Sequence, residues 1–419
     1  MPDTPGKRER EEPAAPAPKR PKTRAQSAPG RQREAEAAAA AILAEQEALA
    51  AKRAKDLSDR PKPVAGNRGD GQLHVAFIRV GQGDCTVMST PRGRVLLFDC
   101  GAKPKEGARP EPKETDTQFT SRLKAILNGP KFMKDHDVID VLITTHGDVD
   151  HYNKLTAVLP DTVKIDNWYY SGSVNDYSEG ATSSFIKSHL SKGGSAKEVV
   201  LNNDAAHAAP GVSQINKTDV PLAGAGQTID RLDAMGGIRI IDEVDGGKSV
   251  CTVTILAAGV VHSYTADASN PKNRGSIVTL VEANGAKILM VGDATVNTEQ
   301  FLLNTGAANR IGNMTVAQAG HHGSINTSSS VVFMKKVNPE MVVMSAGWKI
   351  PKDHLPSEAV VSRYVDLLET AGRPTIDSHE TFYWSPAAMG SYVAGSVFSE
   401  YPVFSTGSRD TIYYTRPAG

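Results

Sequence analysis

Three short apolar runs in this chain each lead to His or Asp residues at a turn. Val138-Ile139-Asp140-Val141-Leu142-Ile143 leads into His146-Gly147-Asp148-Val149-Asp150-His151. Lys287-Ile288-Leu289-Met290-Val291 leads into Gly292-Asp293. A run opening at Met314 leads to Ala319-Gly320-His321-His322-Gly323-Ser324. Such runs read as buried strands. Strand ends are where α/β sheets collect binding groups, so the fold must bring distant strands to one edge.

The spacing predicts further strands at 73–80, 85–89 and 94–99, separated by Gly81-Gln82-Gly83-Asp84 and Pro91-Arg92-Gly93. A helix is expected at 118–127, another from within the hexad to residue 158, a strand at 163–170 and a helix at 183–190. Residues 171–236, rich in Gly, Ser, Ala and Asn, read as connections and insertion. Strands are expected again at 239–241, 251–256, 276–282, 287–291, 314–317 and 341–345, with helices at 296–303, 328–336 and 357–370. Residues 374–415 read as short strands and loops. Strand pairs followed by strands alternating with helices imply an α/β class, two sheets packed together with helices outside.

Composition sets residues 1–70 apart. They hold no aromatic residue and carry 15 Lys and Arg against 11 Asp and Glu, while the whole chain is balanced at 47 against 47. Such a segment buries too little apolar surface to offset its ordering entropy. It reads as a basic Ala/Pro-rich disordered tail with one helix at 33–55, available to a protein or nucleic-acid partner. Residues 71–419 then form the folded domain. No run of 18 apolar residues exists, so no membrane span is expected. The charged, Pro-rich start predicts no secretory signal. Three cysteines make no disulfide framework, and a cytoplasmic setting is expected.

Two Asp and two His within six residues exceed what a helix cap needs. Carboxylate oxygen with imidazole nitrogen is a ligand set for zinc or manganese, unlike a thiolate-held structural zinc. His146 and Asp148 are spaced to chelate one ion, and Asp150 and His151 can turn toward a second. Asp293 either caps a helix or joins this set, and His321 and His322 suit a Gly-flanked ligand loop. His354 has three readings: substrate contact, proton donor to a leaving group, or loop cap. Ser324 and Lys349, with Arg79, Thr327 and Lys352, are candidates to hold anionic oxygens.

Taken together, several motifs resemble the metallo-β-lactamase superfamily, and more narrowly the soluble hydrolase domain of the ComEC-type competence proteins. They are Phe77-Ile78-Arg79-Val80-Gly81-Gln82-Gly83-Asp84-Cys85, Leu97-Phe98-Asp99-Cys100-Gly101, the hexad preceded by Thr145, Asn273-Arg274-Gly275-Ser276-Ile277-Val278, Val291-Gly292-Asp293, and His321-His322-Gly323-Ser324. The resemblance implies an αββα sandwich with a pair of divalent ions at one edge, zinc or manganese, with magnesium as the alternative. It implies His146 and Asp148 on the first ion and Asp150 and His151 on the second. Asp293 would bridge, and His321 or His322 would complete the ligand set of the second ion. It further implies Asp99 as a supporting residue, and Gly83 and Asp84 lining the cleft. Most of that superfamily has His where Asp148 stands and another His near 273–276; both are missing here, so the first ion is expected to be oxygen-rich. The activity implied is two-metal hydrolysis of phosphodiesters in nucleic acid, with Asp150 placing the attacking water. A small-molecule hydrolase (lactone, lactam, thioester or cyclic nucleotide) and an inactive binding protein are the alternatives.

Overall fold

Continuous apolar strands need cover on both faces, and this chain supplies it by stacking one sheet on another. The computed structural model describes residues 68–102, 115–133, 138–201, 230–232, 237–260, 265, 269–347, 354–387, 391–408 and 411–418. Residues 1–67 of the expected tail, with its helix at 33–55, lie outside them, as do Lys349 and Lys352.

The first sheet contains β1 (Leu73–Phe77), β2 (Thr86–Ser89), β3 (Val95–Phe98), β4 (Val138–Thr144), β5 (Lys164–Tyr170), β6 (Leu190–Leu201) and β7 (Asp230–Leu232). The second contains β8 (Ile238–Asp245), β9 (Lys248–Ala257), β10 (Val278–Ala283), β11 (Ala286–Met290), β12 (Val316–Gln318) and β13 (Met341–Met344). Strands β14 (His379–Pro386) and β15 (Tyr392–Ser399) form a separate hairpin, β16 (Val403–Ser405) joins the second sheet, and β17 (Ile412–Arg416) joins the first. The orders are β17-β1-β2-β3-β4-β5-β6-β7 and β16-β13-β12-β11-β10-β9-β8.

The two sheets repeat one connection pattern. In the first, β1–β2 and β2–β3 pair antiparallel, then β3–β4 and β4–β5 pair parallel. In the second, β9–β10 and β10–β11 pair antiparallel, then β11–β12 and β12–β13 parallel. Each half therefore ends two adjacent parallel strands at one edge.

Alternation along each strand builds the layers. On β3, Leu96 and Phe98 face the second sheet, where Ile288 and Met290 of β11 meet them in one core. Val95 and Leu97 face the other way, onto a core shared with Phe119, Leu123 and Leu127. Those three lie at helical spacing on α1 (Asp116–Leu127), which Thr115 and Gln118 start with a capping box. Helices α2 (Leu155–Val158) and α3 (Thr182–His189) bury residues in the same layer. A short turn of helix, α4 (Pro271–Arg274), precedes β10. On the second sheet, α5 (Val296–Asn304) and α6 (Val331–Val337) cover one region, and α7 (Glu358–Thr370) covers another through Val360, Val361, Tyr364 and Leu368. The fold is thus an α/β sandwich of two large mixed sheets with helices outside. Among the described residues no helix is long and apolar enough to cross a membrane.

Residues 191–201, read from sequence as connection and insertion, belong with Leu190 to β6, paired in parallel to β5. Its Gly193-Gly194 and polar residues give no apolar rhythm, so the pattern argument passes over it. Residues 379–399 form a long hairpin rather than short strands.

One buried acid ties α5 to α6. Glu299 is 2 % exposed and accepts the Ser329 N–H at 2.6 Å and the Ser330 N–H at 3.0 Å. Burial pushes its carboxyl up to about 7, against the pull of the Ser330 and Ser329 bonds. A folded-state value above the ordinary 4.5 means stability that is complete below pH 4.5 and lost as pH rises through about 7. We expect Glu299→Gln to remove this slope, worth roughly 3 kcal/mol over the interval. Urea midpoints of both proteins at pH 4.5 and 8 test it, and parallel profiles would refute it.

Candidate metal centre

The repeated strand pattern is what assembles the site. Asp99 follows β3, His146 follows β4, Asp293 follows β11, and His321 and His322 follow β12. These are the carboxyl ends of neighbouring parallel strands, where open α/β sheets hold ligands. The Ile277 N–H donates to Thr145 O at 3.0 Å, joining the edges of the two sheets. Gly292, at φ 51°, permits this approach: a Cβ there would lie 2.7 Å from Thr145 Oγ1. Gly101 fits against the hexad still more closely, since its Cβ would meet the Asp150 carbonyl at 2.1 Å.

Asp293 is the hub. Its Oδ1 lies 3.2 Å from His151 Nε2 and 3.3 Å from His322 Nε2, and Asp150 Oδ2 lies 3.8 Å from His322 Nε2. Its Oδ2 lies 3.6 Å from both His146 Nε2 and His321 Nε2, and Asp148 Oδ2 lies 3.6 Å from His146 Nε2. Two donor sets therefore share one carboxylate. The inner set (Asp150, His151, His322, Asp293 Oδ1) is buried throughout. The outer set (His146, Asp148, His321, Asp293 Oδ2) is more open, with side-chain exposures of 31 % at Asp148 and 22 % at His321.

Every imidazole is held from behind. His151 Nδ1 pairs with Asp99 Oδ2 at 2.7 Å, and His322 Nδ1 with the Ser345 carbonyl at 2.7 Å. His321 Nδ1 meets Thr327 Oγ1 at 2.6 Å, and His146 Nδ1 meets Thr145 Oγ1 at 3.1 Å. A carbonyl only accepts, so His322 carries its proton on Nδ1 and presents a bare Nε2 lone pair. This is the support typical of metal-ligating histidine. His146 Nε2, His151 Nε2, His322 Nε2 and Asp293 Oδ1 are buried without hydrogen-bond partners among the described residues. Each such atom costs about 1–3 kcal/mol if left unmet. Converging unmet donor atoms of this chemistry fit divalent cations.

The charges agree with that geometry. Burial pushes the Asp293 carboxyl up, but His322, His151 and His321 beside it hold it well below the usual range. Burial likewise opposes charge on His151, yet Asp293 and Asp99 raise it well above the ordinary imidazole. Asp148 is pulled to about 2, its partial burial being outweighed by its hydrogen bond and attraction to His146. Protons and cations thus compete for the same atoms, so cation affinity falls with falling pH.

The other expected residues differ in their placement. Asp84 is 3 % exposed, its carboxylate within 4.8 Å of ligand atoms of Asp99 and His151, and it is held by Gln318 Nε2 and by Ser345 Oγ at 3.1 Å. Burial, with Asp99 nearby, pushes it up to about 7. Gln318 Oε1 in turn accepts the Val291 and Gly292 N–H groups at 2.9 and 3.1 Å. Asp84 therefore buttresses the strand end that carries Asp293. Gly83 is also a spacer, its Cβ position being 2.8 Å from the Asp150 carbonyl. Ser324 is 7 % exposed and follows the His pair. His354 does not join either donor set. Its ring stacks on Tyr392 at 4.0 Å and meets Trp384 edge-on at 5.1 Å. Two residues further on, Pro356 packs against Gly323, 2.7 Å from the Cβ position there.

Two residues on α4 were missed by sequence reasoning. Lys272 Nζ donates to Gly147 O at 3.2 Å and lies 3.9 Å from both Asp148 Oδ1 and Asp176 Oδ1. Asn273 Nδ2 lies 3.1 Å from His321 Nε2. Lys272 gives no sequence signal, and Asn273 only its place at the head of the motif Asn273–Val278.

The resemblance drawn from the motifs is found again when whole sequences are compared. Over 91 residues, 22 % of this chain, it is 42 % identical to "Competence protein ComA" of Neisseria gonorrhoeae. Over 101 residues, 23 % of this chain, it is 36 % identical to "Recombination protein 2" of Haemophilus influenzae. The matched stretches span only 13 % and 12 % of those proteins. No family model matches the chain. Among solved structures, one from Thermotoga maritima assigned to the Zn-dependent hydrolases of the metallo-β-lactamase superfamily aligns at TM-score 0.24 and 9 % identity, covering 65 % of this chain and 75 % of that one. A protein of unknown function from Enterococcus faecalis V583 aligns at TM-score 0.30 and 14 % identity, covering 73 % and 64 %. Those scores are too low to equate the folds.

Proposed function

We propose that this protein is a two-metal phosphodiesterase that cleaves nucleic acid. The observation that carries the reading is the sharing of Asp293 between two adjacent donor sets, each with two imidazoles. Sequence similarity to proteins named for competence and recombination supports a nucleic-acid substrate. When bound, the ions supply Lewis acidity and a water that ionises near neutral pH.

The chain's own residues do the rest. Asp150, buried beside His322, orients the attacking water and takes its proton. Asp99 and Ser345 hold His151 and His322 by their Nδ1 atoms, which turns each Nε2 toward the site. Lys272, with 46 % of its side chain exposed at the rim, holds a non-bridging phosphate oxygen while Asp148 and Asp176 keep it in place. Each set offers two imidazole nitrogens and two carboxylate oxygens, a donor mix that suits zinc or manganese.

The folded part, at net −4, lacks the overall positive charge of a broad nucleic-acid groove, which favours a small ester as the second reading. Purified protein with Mn²⁺ is expected to cut single- or double-stranded DNA or RNA, and Asp150→Ala to be inert. Intact nucleic acid beside rapid hydrolysis of a lactone, thioester or cyclic nucleotide would establish the second reading instead. Lys272→Ala is expected to raise KM for DNA roughly tenfold with kcat nearly unchanged. It should also reduce the salt slope of log(kcat/KM) by about 1. An unaltered salt slope removes Lys272 from substrate binding.

A further inference from the structure

The side chain of Asn273 is 4 % exposed and sits against the outer donor set. Its Nδ2 lies 3.1 Å from His321 Nε2 and 3.4 Å from Asp293 Oδ2, two atoms of that set. Its Oδ1 is buried with no hydrogen-bond partner among the described residues. The side chain is not needed to form the turn. The Asn273 N–H donates to Asn270 Oδ1 at 3.0 Å, and its carbonyl accepts the Ser276 N–H at 3.0 Å, both through backbone atoms of Asn273. A buried amide with one orphaned end and the other end on two ligand atoms has a role outside the α4 turn.

An amide offers a donor and an acceptor of the same shape, exchanged by a half-turn about its last bond. In the structure the NH₂ end faces His321 Nε2 and Asp293 Oδ2. A cation held by those same two atoms repels that NH₂ end and attracts the carbonyl end. We propose that Asn273 Oδ1 is a ligand of the outer cation, beside His146, Asp148, Asp293 and His321. Three of these five donors are then oxygen, and the outer position selects a hard cation such as Mn²⁺ over Zn²⁺. The inference rests on the two-cation reading and adds the residue that sets selectivity.

The test reads binding by the full chain, not hydrolysis. Calorimetric titration with Mn²⁺ alone, followed by EPR of the bound ion, is expected to resolve two sites in the wild type. Asn273→Ala should weaken one of them roughly tenfold to a hundredfold and leave the other unchanged. Asn273→His, which swaps oxygen for nitrogen, should move the Mn²⁺/Zn²⁺ preference of that site toward Zn²⁺. Asn273→Asp, nearly isosteric, should tighten Mn²⁺ and keeps the test decisive if the Ala variant fails to fold. Wild-type Mn²⁺ constants in Asn273→Ala and Asn273→Asp, or an unmoved preference in Asn273→His, overturn the proposal. The expected binding pattern without any nucleolysis overturns only the proposed function; nucleolysis without the pattern overturns only this inference.

Discussion

Asp293→Ala is expected to remove both cations and to lower hydrolysis at least roughly a thousandfold, about 4 kcal/mol of barrier. The reason is the division of labour within one carboxylate. Oδ1 serves His151 and His322, while Oδ2 serves His146 and His321. Its loss therefore separates the two sets and leaves four imidazoles without their shared counter-charge. The metal-free protein should suffer too. A carboxyl held below its ordinary 3.8 contributes stability that is present above that value and disappears only as pH falls through the depressed one. Asp293→Ala should therefore melt lower than wild type at neutral pH even in chelator, with the gap closing in strong acid. Two cations bound at wild-type affinity by Asp293→Ala would sink the shared-carboxylate reading.

Asp99→Asn is expected to fold and yet to lose the inner cation, with affinity down roughly tenfold to a hundredfold. Asp99 is fully buried at φ 53°, its Oδ1 accepting the Thr145 N–H at 2.7 Å and its Oδ2 serving Thr145 Oγ1 and His151 Nδ1, each at 2.7 Å. In the Asn variant the amide oxygen must stay on the Thr145 N–H. The NH₂ then faces His151 Nδ1 and drives the imidazole proton to Nε2, the atom needed for the cation. Asp99→Ala should be worse. It leaves His151 and the Thr145 N–H unsatisfied and should cost about 3–5 kcal/mol of stability. Cation titration and thermal melts on the pair separate the two effects. Equal inner-site affinity in wild type and Asp99→Asn would show that the tautomer is not controlled from Asp99.

Where local pattern and long-range geometry agree, the sequence is readable. Strand β4 has the boundaries its apolar run predicts, and the hexad begins two residues after it. Asp293 sits where its strand stops, and the sheets are layered as the alternation of strands and helices implies. The limits have physical causes. The resemblance assigns His321 or His322 to the second ion, but both have positive φ, and their rings turn to different sets. Glycine-like backbone at two histidines cannot be anticipated from an apolar pattern. Asp84 lies in a Gly-rich turn, which reads equally well as cleft wall or buttress. The partners that make it a buttress, Gln318 and Ser345, lie more than two hundred residues away. Asn273 and Lys272 act across gaps of 48 and 125 residues, and no periodicity links them to His321 or Gly147.

The pairing of β1 with β17 matters for how the chain reaches this state. Leu73 lies opposite Arg416 and Phe77 opposite Ile412, so the first strand of the folded part waits for the last. During synthesis, at roughly 5–20 residues per second, β1 spends tens of seconds with one edge unsatisfied. High sequence separation makes that closure slow and leaves an open template for unwanted strand addition. Strand β1 runs directly into the turn that bears Asp84, so the buttress beneath Asp293 is secured late. A nascent chain can thus collect all its histidines well before it can hold them in register.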